Sequence, residues 1–261
     1  MKKDDYYKIL APIITAAGIK AKKSWQNFQR QEVNMKSRTE IVTAVDKLTE
    51  KIIIRSLKAV WPDHAFLGEE SGRSQNNSDY LWIIDPIDGT TNFSIHNPLW
   101  CISVGLAYKN ELIFGIIYAP VLEETFWAAK NQGAYLNGQR LRAPKKMGKG
   151  KNIHTFCHGV TPRDLRLALA YYRKQKMQSL DCRQLGSAAI ELAYVAAGRL
   201  DSLVIPGARS WDVAAGVLIA QEAGTAISDF QRRPWNLKSR DLIACRPDLQ
   251  ASIVSQLKGL K

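Results

Sequence analysis

The stretch Trp82–Asn92, which reads WIIDPIDGTTN, constrains this chain more than any other part of it. An apolar run, Tyr80 to Ile84, reads as a buried strand and ends in Asp85, where an ionised carboxylate is costly unless it is paired or bound to a metal. Pro86 cannot extend a ladder, so the chain is predicted to leave the sheet there, and Gly89 permits a positive φ that most residues resist. Asp88 and Thr90 follow Asp85 within the same turn, and the Ile87 carbonyl is freed to point with the two carboxylates. Two carboxylates and a carbonyl oxygen from one turn form a hard-oxygen cluster of the kind that suits Mg²⁺. The plain alternative is an Asp-Gly turn with its acids in solvent. Gly89, Thr90 and Thr91 also offer amides and hydroxyls suited to phosphate oxygens.

Two further blocks stand apart from this turn: FLGEES at Phe66–Ser71 and SWDVAAG at Ser210–Gly216. In order and spacing, over roughly Lys36 to Gly224, the three blocks closely resemble the inositol monophosphatase family of Mg²⁺-dependent, lithium-sensitive phosphomonoesterases. The resemblance implies a mixed α+β and α/β chain folded as a five-layer αβαβα sandwich of the inositol monophosphatase and fructose-1,6-bisphosphatase type, with a metal site between two halves. Carried over residue by residue, Glu69, Asp85 and the Ile87 carbonyl match a first metal site, and Asp85, Asp88 and Asp212 match a second. Thr90 and Asp46 match the pair that orients and deprotonates the attacking water, and with Glu69 they form the expected catalytic set. Gly186, Ser187 and Ala188 match a helix start whose amides face substrate. Asp88, Gly89, Thr90, Arg209 and Asp212 complete the expected substrate contacts, and Lys36 matches a basic loop residue near the site. Without the resemblance, Asp46 and Asp212 read as first-turn acids favouring helix dipoles, and Lys36 as a solvent-exposed turn lysine.

One departure bears on substrate. Family members that act on inositol phosphate carry a glutamate seven residues before the second-site aspartate, and here that position is Ile205. Isoleucine accepts no hydrogen bonds from hydroxyls, while Arg209 adds positive charge nearby in the chain, so a bisphosphorylated sugar or nucleotide is expected to be preferred over inositol-1-phosphate. A milder departure is Thr225, where the family more often has a second glycine after Gly224. The implied activity is hydrolysis of a small phosphate monoester by a metal-activated water, in a homodimer. The rival reading is a nucleic-acid or transcription-complex binding protein on a phosphatase fold, a role that bacterial relatives in the family can have.

Length and composition are compatible with both readings. A chain of 261 residues, 46% hydrophobic and 23% charged, can bury a sizeable core as one large domain or two packed halves. No apolar run approaches the ~20 residues of a membrane helix. Ile9 to Ile19 follows two lysines, but Asp4, Asp5, Pro12 and the lack of an A-x-A site argue for the first helix of a cytoplasmic protein. Cys101, Cys157, Cys182 and Cys245 form no CxxC pair and read as free thiols; His154 and His158 fall on a strand and loop, where helical ligand spacing has no meaning. The net charge of +13 is concentrated between Lys130 and Lys151, with seven basic residues and no acid, and at Lys20, Lys22 and Lys23. Such charge attracts phosphate substrates and nucleic acid, or is a solvated surface.

Periodicity divides the chain into an N-terminal half, residues 1–143, of two helices and a largely antiparallel sheet, and a C-terminal α/β half, residues 152–261, and the resemblance implies that the active site lies between them. The first helix carries Tyr7, Leu10, Ile14 and Ala17 on one stripe; the second, capped near Thr43 and stopping at Pro62, carries Val45, Leu48, Ile52 and Val60. Hairpins are predicted at Lys109-Asn110 and Asn137-Gly138. Beyond the link Pro144–Lys151, strands and helices alternate, with Thr161 as one helix cap and Gly198 and Gly224 as helix stops.

Overall fold

The computed structural model describes residues 3–36, 41–142, 148 and 151–259, the side chains of 3–5 excepted. Lys145, Lys146 and Lys149 of the basic link lie outside the described residues, as does Arg38. Helix α1 (Lys3–Gln26) is followed by a short antiparallel pair, β1 (Asn34–Met35) with β2 (Ile41–Val42), and then by α2 (Ala44–Val60). Next come β3 (Ala65–Gly68), β4 (Gly72–Arg73), β5 (Tyr80–Asp88), the short α3 (Thr90–Ser94), β6 (Cys101–Tyr108), β7 (Glu111–Ala119), β8 (Glu124–Ala129), β9 (Gly133–Leu136) and β10 (Gln139–Arg140). Among the described residues these strands form an eight-stranded sheet in the order β10-β9-β8-β7-β6-β5-β3-β4, antiparallel except where β3 runs with β5.

The rest of the chain alternates: β11 (Ile153–Phe156), α4 (Pro162–Gln178), β12 (Asp181–Arg183), α5 (Ala188–Ala196), β13 (Ser202–Ile205), α6 (Ser210–Glu222), β14 (Ala226–Ser228), β15 (Leu242–Cys245) and α7 (Gln250–Lys258). Its five-stranded sheet has the order β12-β11-β13-β15-β14. The predicted hairpins form at Lys109-Asn110 and Asn137-Gly138, and Thr43 and Thr161 cap their helices.

Strand alternation stacks these elements into five layers. Trp82, Ile84, Ile102, Val104 and Ile116 of the large sheet pack on Leu10, Ile14, Ile53 and Leu57 of α1 and α2. The alternate residues Leu81, Ile83, Ala107 and Ile117 join the apolar α5 and α6, whose far side meets Leu203, Ile205, Leu242 and Ala244 of the small sheet. Phe156, Val204, Ile243 and Cys245 then face Ala168 and Tyr171 of α4 and Ile253 and Leu257 of α7. The αβαβα sandwich follows from period-2 alternation in strands that are buried on both faces.

Three sequence expectations change. The α1 stripe is Tyr6, Leu10, Ile14 and Ala17, with Tyr7 half-buried. The inward face of α2 is Asp46, Thr49, Glu50, Ile53 and Leu57, while Leu48 and Val60 are each 43% exposed. Two carboxylates with hydrogen-bonding tasks turn the helix away from its most hydrophobic phase, and Ile53 and Leu57 continue the face they set. Strand β5 also does not end before Pro86. It runs to Asp88 through a bulge, Asp85 lying opposite Ser103 and Asp88 opposite Cys101, so three steps on one strand meet two on the other.

Helix α6 approaches the large sheet closely because the sheet is glycine there. A Cβ on Gly115 would lie 2.8 Å from the Ala215 carbonyl oxygen and 2.9 Å from its Cα, and one on the paired Gly105 would lie 3.2 Å from the Ala214 Cβ. Gly115→Ala is therefore expected to destabilise the protein by ~1–3 kcal/mol by overpacking, because backbone rather than a flexible side-chain end must move. Urea unfolding checks this; an unchanged midpoint would show that the helix is not fixed by this contact.

Candidate active site

The bulge in β5 aims the acids of the central turn at one region. Asp85 is buried, and its Oδ1 accepts the Ile87 amide at 3.0 Å. The Ile87 side chain packs among Ala21, Phe28, Phe93 and Trp100, while its carbonyl oxygen lies 3.1 Å from the Thr90 hydroxyl. Gly89, at φ 96°, reverses the chain into α3; a Cβ there would meet the Leu99 carbonyl oxygen at 2.9 Å and Ser187 Cβ at 3.3 Å. The turn is thus pressed against the start of α5.

Asp46 approaches from α2. It is the third helical residue of a capping box, and Oδ2 accepts the Thr43 amide at 2.9 Å and the Thr43 hydroxyl at 2.5 Å. Its other oxygen lies 3.1 Å from Thr90 Oγ1. Burial pushes the Asp46 carboxyl up to about 6, against the opposing hydrogen bonds from Thr43 and Thr90. Its first-turn dipole position and its contact with Thr90 coexist.

Asp88 crosses to α5. Ser187 Oγ donates to Asp88 Oδ2, the Ala189 amide donates to the same oxygen at 2.7 Å, and the Ala188 amide reaches Oδ1 at 3.3 Å. The amides at this helix start are directed onto Asp88, and Ser187 is the helix cap. Burial raises Asp88 to about 6, opposed by these donors.

Glu69 follows β3, its amide donating to the Ile84 carbonyl at 3.1 Å. Its carboxylate accepts Lys36 Nζ at 2.9 Å, and Lys36 also holds Glu70. Burial opposes the Lys36 charge, but the hydrogen bonds to Glu70 and Glu69 outweigh it and raise the ammonium above its ordinary value. Asp212 sits in the first turn of α6, carried there by the close packing on Gly105 and Gly115. Burial raises it well above the usual carboxylate range, Asp88 and Glu69 raise it further, and Arg209 at the helix cap opposes them. The Arg209 guanidinium lies 5.5 Å from the Trp211 ring centre.

Glu69, Asp85, Asp88 and Asp212 are close enough to perturb one another. Asp85 is raised well above its ordinary value first by burial and then by the other three. This donor set is hard oxygen with excess negative charge, the chemistry that a divalent cation answers. As the side chains stand, no three acidic, histidine or cysteine groups among the described residues are gathered tightly enough to hold an ion. Lys36 holds Glu69, and the start of α5 holds Asp88.

A sequence profile of the inositol monophosphatase family matches residues 2–261. The chain belongs to the inositol monophosphatase family. Among curated relatives, a protein from Pasteurella multocida named Nus factor SuhB is 35% identical over 93% of this chain and 91% of its own length. The Nus factor SuhB of Pseudomonas aeruginosa is 41% identical over 76% of this chain and 75% of its own. The solved Thermotoga maritima IMPase superposes with a TM-score of 0.89 at 28% identity, covering 100% of this chain and 98% of that one.

Within this family fold, three supporting residues escaped the sequence reading. Glu50 is buried and accepts the Glu70 and Ser71 amides, each at 2.9 Å, fixing the turn that carries Glu69. Asn92 donates to the Leu99 and Leu185 carbonyls at 2.7 and 2.8 Å, tying the central turn to the segment before α5. Glu191 accepts the Leu185 and Gly186 amides at 2.9 and 3.1 Å and the Cys157 thiol at 3.3 Å. It is the one acid in the apolar run Ala188–Ala197, which was a readable signal. Cys101, Cys182 and Cys245 are buried free thiols, and His154 hydrogen-bonds to Ser202 in the interior.

Ile205 is 3% exposed and belongs to the apolar layer between the sheets. Ile205→Glu would bury a carboxylate there, so it is expected to cost at least ~2 kcal/mol of stability rather than create a hydroxyl-binding group. Thermal melting at neutral pH checks this, and a wild-type melting point would reopen position 205 as a substrate contact. Glu50→Ala leaves two turn amides without their acceptor and is expected to cost ~1–3 kcal/mol. A neutral result in urea unfolding would remove Glu50 from the support of the Glu69 turn.

Proposed function

We propose that this protein is a Mg²⁺-dependent phosphatase of small phosphate monoesters, with the crevice between the sheets as its active site. The observation that carries the reading is the Thr90 hydroxyl, held 3.1 Å from both Asp46 and the Ile87 carbonyl on the turn that carries Asp85 and Asp88. Glu69, Asp85 and the Ile87 carbonyl would hold one cation, and Asp85, Asp88 and Asp212 a second. When bound, magnesium supplies Lewis acidity that makes water nucleophilic near neutral pH and offsets phosphate charge.

The chain's own groups orient the reaction. Thr90 has one proton to give; donated to Asp46, it leaves the Thr90 oxygen as an acceptor for a proton of the attacking water. Asp46, anchored by Thr43, then takes up positive charge through Thr90 as that proton leaves. The Gly89, Thr90 and Thr91 amides at the start of α3 would face the phosphate, and Arg209 adds positive charge beside Asp212. The positive charge of Arg209 beside Asp212 favours an anionic sugar or nucleotide phosphate over inositol-1-phosphate.

Phosphate release from a panel of inositol-1-phosphate, fructose-1,6-bisphosphate and 3′-phosphoadenosine 5′-phosphate, with Mg²⁺ and with chelator, tests the activity. Thr90→Ala is expected to lower kcat by ~10² or more with little change in KM; near-normal kcat would rule out the relay. In calorimetric Mg²⁺ titration, Asp85→Asn is expected to lose more affinity than Asp88→Asn, because Asp85 would bridge both cations. Wild-type-like binding by both variants would sink the ligand assignment.

A second reading has its own support. The curated relatives bear the name Nus factor, and the chain's net charge is +13. Nucleic-acid or transcription-complex binding would use the outer surface rather than the crevice.

A further inference from the structure

The outer face of α2 carries a row of cations that the composition did not single out. Lys47, Lys51, Arg55 and Lys58 are all exposed and are spaced four, four and three residues apart. They line one side of the helix for about 16 Å at a rise of about 1.5 Å per residue. Among the described residues Lys47, Lys51 and Arg55 form no ion pair, and Lys58 lies 5.5 Å from the Phe66 ring centre. The helix has two acids, Asp46 and Glu50, and both are turned inward. The charged residues on the exposed side of α2 are therefore all cations, beside the exposed Leu48 and Val60.

Beside this row runs a groove of about 510 Å³, lined by the four cations with Ile54, Glu50, Glu70 and Ser71. Of its two carboxylates, Glu70 is paired with Lys36, and Glu50, bound to the Glu70 and Ser71 amides, is outnumbered by the four cations. The apolar floor is Ile54 and the lysine and arginine stems, too little for a docked protein helix, which needs a series of anchors at i, i+4 and i+7. A partner whose charge lies along its own backbone fits better. One strand rising about 3.4 Å per nucleotide places about five phosphates along this length.

We propose that the α2 row Lys47, Lys51, Arg55 and Lys58 is a docking surface for the phosphate backbone of a nucleic-acid strand. The proposal rests on the second reading above and gives it a location distinct from the basic link. Binding is sequence-tolerant, since lysine and arginine on phosphate carry no base readout, and it is separate from the crevice that would hold the small phosphate.

The test is fluorescence anisotropy with a short labelled single-stranded RNA of mixed sequence, measured from ~50 to ~200 mM salt. Three proteins are compared: wild type, K47Q/K51Q/R55Q/K58Q, and a control losing the same charge from the link, K145Q/K146Q/K149Q/K151Q. Wild type is expected to bind with a log-log salt slope of about 3, the value for four phosphates on single-stranded nucleic acid at about 0.7 each. The α2 variant is expected to lose at least tenfold in affinity at the lowest salt and most of that slope, while the link variant keeps both. Equal losses in the two variants would show that only net charge matters and would overturn the proposal, as would an unchanged α2 variant; the nucleic-acid reading would survive either result. No binding by wild type at the lowest salt would sink that reading itself. Polyglutamate bound as tightly as RNA would overturn the proposal in favour of an acidic protein partner. An unchanged melting temperature and unchanged phosphate release in the α2 variant guard against misfolding as the cause.

Discussion

Like charges placed near one another repel, and the arrangement around the central turn is organised by that repulsion. Two carboxylates about 4 Å apart at an effective dielectric constant of about 20 oppose each other by about 4 kcal/mol. Most of these acids are accordingly held by fixed donors, some local and some from a distant element. Asp85 has the Ile87 amide, Asp88 has Ser187 and Ala189, Asp46 has Thr43, and the turn bearing Glu69 hangs on Glu50. These donors fix the oxygens where repulsion alone would move them, although in this arrangement no three of the acids among the described residues are gathered tightly enough to hold an ion.

The layers make the gathering possible. Asp85 and Asp88 come from a strand buried on both faces, Asp212 from a helix between the sheets, and Asp46 from a helix on the outside. They meet because small residues let the layers close: Gly105 and Gly115 admit α6, and the Gly89 turn sits against Ser187. A larger side chain at any of these contacts would separate acids contributed by different layers before it disturbed any one of them. Stability and site geometry therefore depend on the same few contacts.

The part of this design visible in the sequence is the part with local rules. Proline, glycine and alternating apolar residues mark β5, the hairpins and the alternating half. What escaped depends on distant partners. The phase of α2 was misread because hydrophobicity favours Leu48 and Val60 inward, whereas the amides of Glu70 and Ser71, twenty residues downstream, require Glu50 there. Pro86 was read as a strand end because the partner strand that accommodates a bulge, through Cys101 and Ser103, cannot be seen locally. The family resemblance marks position 205 as a hydroxyl contact, whereas strand pairing with Leu242 places Ile205 in the apolar layer.

Helix α2 shows how the inner and outer surfaces can be specified together. Asp46 is followed by Lys47, and Glu50 by Lys51, so each inward acid has a cation next to it in the chain but rotated by about 100° around the axis. The inward acids need burial, because their task is to hold a hydroxyl and two amides that water would otherwise solvate. The outward cations need exposure, because an ammonium or guanidinium taken out of water without a partner is costly. The only hydrophobic residues of α2 that are fully buried are Ile53 and Leu57, with Val45, Ile52 and Ile54 packing partly buried beside them, so the charge pattern helps to set which way α2 faces. A cation moved to an inward position would meet the Thr43 cap and the Glu69 turn, and an acid moved outward would break the row. The same alternation of sign that obscured the helix phase in the sequence thus serves both faces at once: carboxylates toward the central turn, cations toward solvent.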